Sequence, residues 1–291
     1  MTDGWHIGVI GGSGLYDVGQ LDDMQQIDVE SSFGKPSGRV TTGSLNGVRF
    51  TFLPRHGEGH VTGPAQINYR ANIDVLKRCG VTDVLAVSAI GSLIEALEPG
   101  HFAAVTQFID QTKSRPASFF GDGVVAHVSM ADPTCERLTA LVSAAAAKAG
   151  AQVHAGGCYV AIEGPQFSTR AESQLYREFG GHVIGMTGMP EARLAREAEL
   201  PYALLGMITD YDCWRYNEPG ASMEEVFRVM RSSADLARAM LVKLAESLPE
   251  TREASPIDTT LDGAIATARD LRDPELVARL DAVAGRALSQ S

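Results

Sequence analysis

GVIGGSGLY, residues 8–16, runs a short β-branched stretch into a cluster of glycines. A nucleotide-binding α/β fold opens its first strand in this way. Two common uses of such glycines fail here. A dinucleotide fingerprint needs G-x-G-x-x-G, and counting from Gly12 gives Gly14 and then Asp17 where the third glycine belongs. An acid at that helix N-terminus would repel a pyrophosphate. The triphosphate loop needs a Lys after its last glycine, and none follows. What remains is a glycine turn with one hydroxyl, Ser13, whose backbone N–H groups suit a small anion nest or simply a tight turn.

The rest of the chain fits a protein that binds something small. Its 291 residues can bury a large core as one big domain or two smaller ones. Hydrophobic residues make up 44% and charged residues 21%, an ordinary globular balance. A formal net charge of −11 disfavours nucleic acid as a partner. No apolar run approaches the roughly 18 residues that span a bilayer, so no membrane association is expected. MTDGWHIGV lacks the basic and then apolar pattern of a secretory signal. Cys79, Cys135, Cys158 and Cys213 are scattered without metal-ligand spacing. They read as free thiols in a reducing cytoplasm.

Strand-like runs appear at 6–10, 48–53, 82–88, 102–109, 158–163, 182–186 and 202–209. Several are apolar throughout, as in strands covered on both faces. Helical signals alternate with them. Asp132-Pro133 offers a cap and a first-turn proline for a helix over 132–149. Thr169 with Glu172, and Ser222 with Glu225, form capping boxes. The helix after Ser222 carries Met223, Val226, Phe227, Met230, Ala234, Ala237, Leu241 and Leu244 on one face. This predicts an α/β fold with a mixed, largely parallel central sheet flanked by helices. The polar stretch 247–258 reads as a linker, so the chain divides into a catalytic domain over 1–248 and a linker with a C-terminal helical tail over 249–291.

In such folds ligands bind beyond the carboxyl ends of the strands. After 48–53 comes PRHGEGH, where Arg55 and His56 offer a planar fork and a second donor for an oxyanion, with His60 close behind. The glycines at 57 and 59 break any helix that could pair the two histidines on a metal. After 82–88 come Ser88 and Ala89, and after 182–186 comes Thr187 beside Met186. Phe167 and Ser168, in GPQFSTRAE, offer a ring to stack and a hydroxyl.

The sharpest signal is TDYDCW, residues 209–214. In an extended segment Asp210 and Asp212 point the same way. Two acids beside apolar residues push their pKa values apart, leaving one protonated and one ionised. That gives one donor and one acceptor, matching the N7 and N6 edge of adenine. A carboxyl donating to N7 would also act as general acid for a departing purine. The same spacing suits a magnesium ion. Together the strand ends suggest an oxyanion site beside a flat-ring site, as phosphate attacking a purine nucleoside would require.

With these residues in view, IGGSGLYD, FGKPS (33–37), RHGEGH, NYRANI (68–73), SAIGSL, QFID (107–110), IEGPQFSTRAE, GMTGMPE and TDYDCW resemble, in order and spacing from about residue 6 to 245, the 5′-methylthioadenosine phosphorylases of the purine nucleoside phosphorylase family. The resemblance implies a nucleoside phosphorylase-like fold, a cytoplasmic homotrimer with sites at subunit interfaces, and a pentosyltransferase of purine and methionine salvage. Methylthioadenosine and phosphate would give adenine and 5-methylthioribose 1-phosphate, without cofactor or metal, inorganic phosphate being a co-substrate. It implies phosphate contacts from Ser13, Arg55, His56, Ser88, Thr187 and the Ala89 backbone. Phe167, Ser168, Asp210 and Asp212 would hold adenine, the two acids being catalytic. Met186 would lie beneath the ribose, His60 near the sugar, and His127 in the neighbouring subunit's 5′ pocket.

Gly188 departs from the pattern, since many adenine-specific members carry a hydroxyl there and relatives that prefer 6-oxopurines do not. The acid pair, absent from those relatives, decides for adenine. The alternatives are a phosphorylase of 6-oxopurine nucleosides such as methylthioinosine or inosine, a broader adenosine phosphorylase, a hydrolytic nucleosidase, and a nucleoside-binding sensor without catalysis.

Overall fold

The computed structural model describes residues 4–12, 21–216, 218 and 220–290. Ser13 lies outside them. The strands are β1 (His6–Gly11), β2 (Asp22–Ile27), β3 (Val40–Leu45), β4 (Val48–Pro54), β5 (Asp83–Ser92), β6 (Phe102–Val105), β7 (Gln107–Asp110), β8 (Val153–Ala155), β9 (Cys158–Ala161), β10 (Val183–Gly185) and β11 (Tyr202–Asp210). The helices are α1 (Tyr69–Arg78), α2 (Glu136–Lys148), α3 (Arg170–Glu178), α4 (Gly188–Glu197), α5 (Met223–Ser247), α6 (Pro274–Arg279) and α7 (Asp281–Gln290).

All these strands join one sheet, ordered β2-β3-β4-β1-β5-β10-β9-β7, with β11 on β5, β6 on β11 and β8 on β6. The pairings β1/β4, β1/β5, β5/β11, β6/β8, β7/β9 and β9/β10 are parallel. Antiparallel pairs β2/β3 and β3/β4 form one edge, and β5/β10 and β6/β11 lie inside. The sheet is thus mixed and largely parallel.

Strand alternation divides the core into two layers. Val84 and Ala86 of β5 pack with Ile73 and Leu76 of α1, Ala192 and Ala195 of α4, and Val283 and Ala284 of α7. Leu85 and Val87 face the other way, onto Leu138 and Val142 of α2 and Ala237, Leu241 and Leu244 of α5. Both faces are therefore dry, as the unbroken apolar runs imply.

β5 has three partners. β1 pairs with it over Asp83–Ala86 and β10 over Gly91–Ser92, on the same flank, while β11 follows the other side. Between the two, residues 87–90 face no strand of the described chain on that flank. This gap positions the site.

Several elements differ from the sequence expectation. The run 102–109 divides at Thr106 into β6 and β7. β2 is mostly exposed and polar, an edge strand with no apolar face to reveal it. α2 begins at Glu136: Cys135 before it is extended, and its N–H donates to the Tyr202 carbonyl of β11 (2.7 Å). Thr169 and Glu172 do form the reciprocal cap of α3.

The stretch after α5 is fastened to its own chain. Arg252 and Arg137 both pair with the fully buried Asp83, and Arg252 also reaches Asp258 at 2.7 Å. Trp5 Nε1 donates to the Pro249 carbonyl, and Arg286 reaches Glu199. Arg252→Ala leaves Asp83 with one cation of two, which should lower stability by about 3 kcal/mol, the low end for breaking a buried pair. The urea unfolding midpoint reads it; an unchanged midpoint would show that Arg137 alone suffices.

Candidate active site

A cavity of about 510 Å³ opens at the β5 gap. Val87, Ser88, Ala89 and Ile90 line it directly. Arg55, His56 and His60 enter from the end of β4, Met186 and Thr187 from the end of β10, Asp210 and Asp212 from the end of β11, and Phe167 from the loop after β9. The strand ends expected to carry chemistry thus meet in one place.

Arg55 is almost fully buried at the oxyanion end. Its Nε and Nη2 hold both carboxylate oxygens of Glu191 (2.9 and 3.0 Å). Nη2 also donates to the Ile10 carbonyl and Nη1 to Val87, whose oxygen faces the gap. Burial opposes the charge, but Glu191 outweighs it and holds the guanidinium protonated. Tyr202 donates to the same carboxylate at 2.9 Å. The fork expected to face an anion is therefore committed to Glu191 and two carbonyls, and one Nη1 N–H has no partner among the described residues.

The structure also changes the role available to His56. Its Nδ1 lies 2.9 Å from the Thr62 carbonyl, so that nitrogen carries the hydrogen. Burial, with the Arg55 charge beside it, lowers the ring to about pKa 4. The imidazole is neutral at pH 7, and Nε2 is an acceptor, fit for the O–H of a hydrogenphosphate. His60 stacks on His56 with centroids 4.1 Å apart.

Thr187 precedes α4 but makes no side-chain cap. Its hydroxyl lies 2.9 Å from that of Ser88 across the gap, and its N–H donates to the Tyr159 hydroxyl. Two hydroxyls and a backbone turn beside a cation suit a small oxyanion.

At the other end the acids do not lie along an extended segment. β11 stops at Asp210, and Asp212 takes a left-handed φ of 51° in the following turn. Its N–H donates to Asp210 Oδ1 at 2.8 Å, while the Thr209 hydroxyl donates to Oδ2 at 2.7 Å. The turn, rather than strand alternation, brings the carboxyls together. Gly91 makes room: a Cβ there would stand 3.0 Å from Asp210 Oδ1. Burial raises Asp210 above the usual carboxylate range against those two hydrogen bonds, and Glu225 adds to the rise. Burial raises Asp212 as well, and the charge of Asp210 adds to it. Among the described residues no cluster of three or more His, Cys, Asp or Glu is arranged for a metal ion.

Other residues fall differently. Phe167 is 40% exposed on the cavity wall, a ring with a free face. Ser168 is off the wall; its hydroxyl is buried without a partner among the described residues, and its carbonyl accepts from Cys213 Sγ. His127 is exposed and outside the cavity of its own chain. Gly188 is also off the wall: a Cβ there would meet Phe108 at 2.6 Å and Leu204 at 3.2 Å, in the core. A side chain at 188 would therefore not reach a base directly.

Sequence reasoning placed the apolar residues of α5 on one face and assigned none of them to the site. The second half of this face is core, but Met223, Val226, Phe227 and Met230 line the cavity. Met223 and Phe227, more than 40% exposed, give this wall its apolar character. Glu191 was missed because an acid inside a helix carries no signal of its partner across the sheet.

The chain is similar to known proteins over most of its length. The model described as the phosphorylase superfamily matches residues 6–246. An S-methyl-5′-thioadenosine phosphorylase of Cereibacter sphaeroides is 53% identical over 97% of this chain and 98% of its own. One from Bradyrhizobium diazoefficiens is 50% identical over the same shares. A crystal structure of a methylthioadenosine phosphorylase from an Antarctic soil metagenomic library superposes with a TM-score of 0.89 at 42% identity, covering 97% of this chain and 99% of that one. A mutant adenosine/methylthioadenosine phosphorylase of Schistosoma mansoni, in complex with adenine, gives 0.78 at 37% identity over 83% and 91%.

Arg55→Ala strands the buried Glu191 carboxylate. It should cost about 3–5 kcal/mol of stability, visible as a lower thermal midpoint before any effect on turnover is read. A midpoint within a degree of the parent would mean that Glu191 finds another partner.

Proposed function

We propose, since the chain belongs to the S-methyl-5′-thioadenosine phosphorylase family within the phosphorylase superfamily, that it cleaves methylthioadenosine with phosphate. The products are adenine and 5-methylthioribose 1-phosphate. The observation that carries this reading is one cavity with hydroxyls, a histidine and a guanidinium at one end and a buried acid pair at the other.

The C1′–N9 bond breaks through an oxocarbenium-like sugar while a phosphate oxygen closes on C1′. In our reading Ser88, Thr187, the Ala89 backbone and the remaining Arg55 N–H hold the phosphate, with Ser13 beside them. The phosphate charge, close to C1′, stabilises the developing cation. His56 Nε2 would accept the phosphate hydroxyl, and His60 and Met186 would flank the ribose. A protonated carboxyl of the pair donates to N7 as the base departs, and the ionised one accepts from N6. Burial raises both carboxyls from their ordinary value, the direction that a proton donor at this end needs. Phe167 stacks on the base, and Ser168 lends a hydroxyl once its loop adjusts. The apolar start of α5 suits a methylthio group better than a free 5′ hydroxyl.

The chemistry calls for no cofactor beyond phosphate as second substrate. We place the enzyme in purine and methionine salvage in the cytoplasm, as a homotrimer whose neighbouring subunit lends His127. Its exposed position, two residues from the exposed apolar side chain of Val125, supports that assembly. Residues 1–248 would then hold the catalytic groups and 249–291 serve as a packing tail.

Purified protein should release adenine from methylthioadenosine only when phosphate is present, with the sugar 1-phosphate as co-product. Release without phosphate would make it a hydrolase. Asp210→Asn should reduce methylthioadenosine turnover by about 10²–10⁴-fold, the range of a lost general acid. It should also shift relative preference toward methylthioinosine; comparing kcat/KM for the two nucleosides checks this, and an unshifted ratio would overturn the base-recognition scheme.

A further inference from the structure

Arg115 lies in none of the segments assigned above, yet it touches three of them. Its side chain is 1% exposed. β9 ends at Ala161 and β10 at Gly185, so the carbonyls just beyond have lost their sheet partners and need donors. The guanidinium supplies them. Nη2 donates to the carbonyls of Ile162 (3.2 Å) and Glu163 (2.7 Å), and Nε to the Glu163 carboxylate. Nη1 donates to the carbonyls of Met186 (2.6 Å) and Met189 (2.7 Å) and to the Tyr69 hydroxyl (3.0 Å). Tyr69 passes its own hydrogen to the Pro64 carbonyl at 3.0 Å.

Each anchored segment carries part of the cavity wall. Ile162 leads to Phe167, Met186 precedes Thr187, and Pro64 closes the loop that begins at His56. We propose that Arg115 is a positioning residue for both substrates: one planar guanidinium sets the spacing between the base-side loop, the phosphate-side turn and, through Tyr69, the histidine loop. This rests on the phosphorolytic reading of the cavity. Arg115 touches neither substrate. A lysine keeps the charge but offers donors from a single point, so it cannot span carbonyls on opposite sides. Displacements of about 1 Å in a reacting geometry cost on the order of 10²-fold in rate.

The test uses Arg115→Lys and the milder Tyr69→Phe, which removes only the hydroxyl link to Pro64. KM for phosphate, KM for methylthioadenosine and kcat are measured separately, per folded molecule by circular dichroism, beside the parent enzyme. Arg115→Lys should raise both KM values and lower kcat, with kcat/KM falling roughly 10²-fold. Tyr69→Phe should raise KM for phosphate several-fold and leave KM for the nucleoside within about twofold. A merely structural role would lower the thermal midpoint of both variants and leave these constants unmoved, which would overturn the proposal. If Arg115→Lys does not fold, Tyr69→Phe decides: an unchanged phosphate KM overturns it. A parent enzyme with no phosphate-dependent release would overturn the functional reading first, and this inference with it.

Discussion

The site exists because β5 changes partners. A strand hydrogen-bonds along two edges only, so the flank that β1 gives up at Ala86 and β10 takes up at Gly91 leaves a short open stretch between them. Backbone groups there must be satisfied by something other than a strand. Arg55 takes the Val87 oxygen, and the Ser88 hydroxyl meets that of Thr187 on the cavity wall. A continuous sheet would have had no such opening. The ends of β4 and β11 reach it because β4, β1, β5 and β11 run parallel and bring their carboxyl ends to one side, while β10, antiparallel to β5, runs back into it from the other direction.

Electrostatically the cavity is divided. At one end a cation is present but nearly neutralised within its own pair, so Arg55 contributes directed N–H groups more than net charge. Such pairs gain little stability over apolar packing but are costly to break. At the other end burial works on two carboxyls, disfavouring the ionised form of each. An acidic protein thus keeps a paired cation and two desolvated acids at opposite ends of one volume.

Much of this was legible in the sequence. The apolar runs that became β1, β4, β5, β9 and β11 announce themselves because both sheet faces are dry, and residues just beyond β4, β9 and β11 are in the cavity wall; Ser88 and Ala89, expected where the strand gives way, line it from inside β5. Position after an apolar run supplied Asp210, Asp212 and Thr187. What was not legible depends on contacts between distant segments. Glu191 and Arg115 are ordinary charges until the fold sets carbonyls or a guanidinium opposite them. The periodicity of α5 marks an apolar face but does not say where core ends and cavity begins, because Met230 and Leu241 read alike. The acid pair was found through a strand geometry that the chain does not use; the turn at Asp212 achieves the same convergence by another route.

The order of strands also bears on how the molecule reaches this state. β1 lies between β4 and β5, and β5 pairs with β11 through contacts such as Val84 with Tyr202. These neighbours are far apart along the chain, so the central sheet cannot be built from local hairpins. The loop entropy of those closures comes before the burial that rewards it. Only the β2–β3–β4 meander is local. The cavity needs β1, β5, β10 and β11 together, so the chain has no capacity to bind until these long-range closures have all been made.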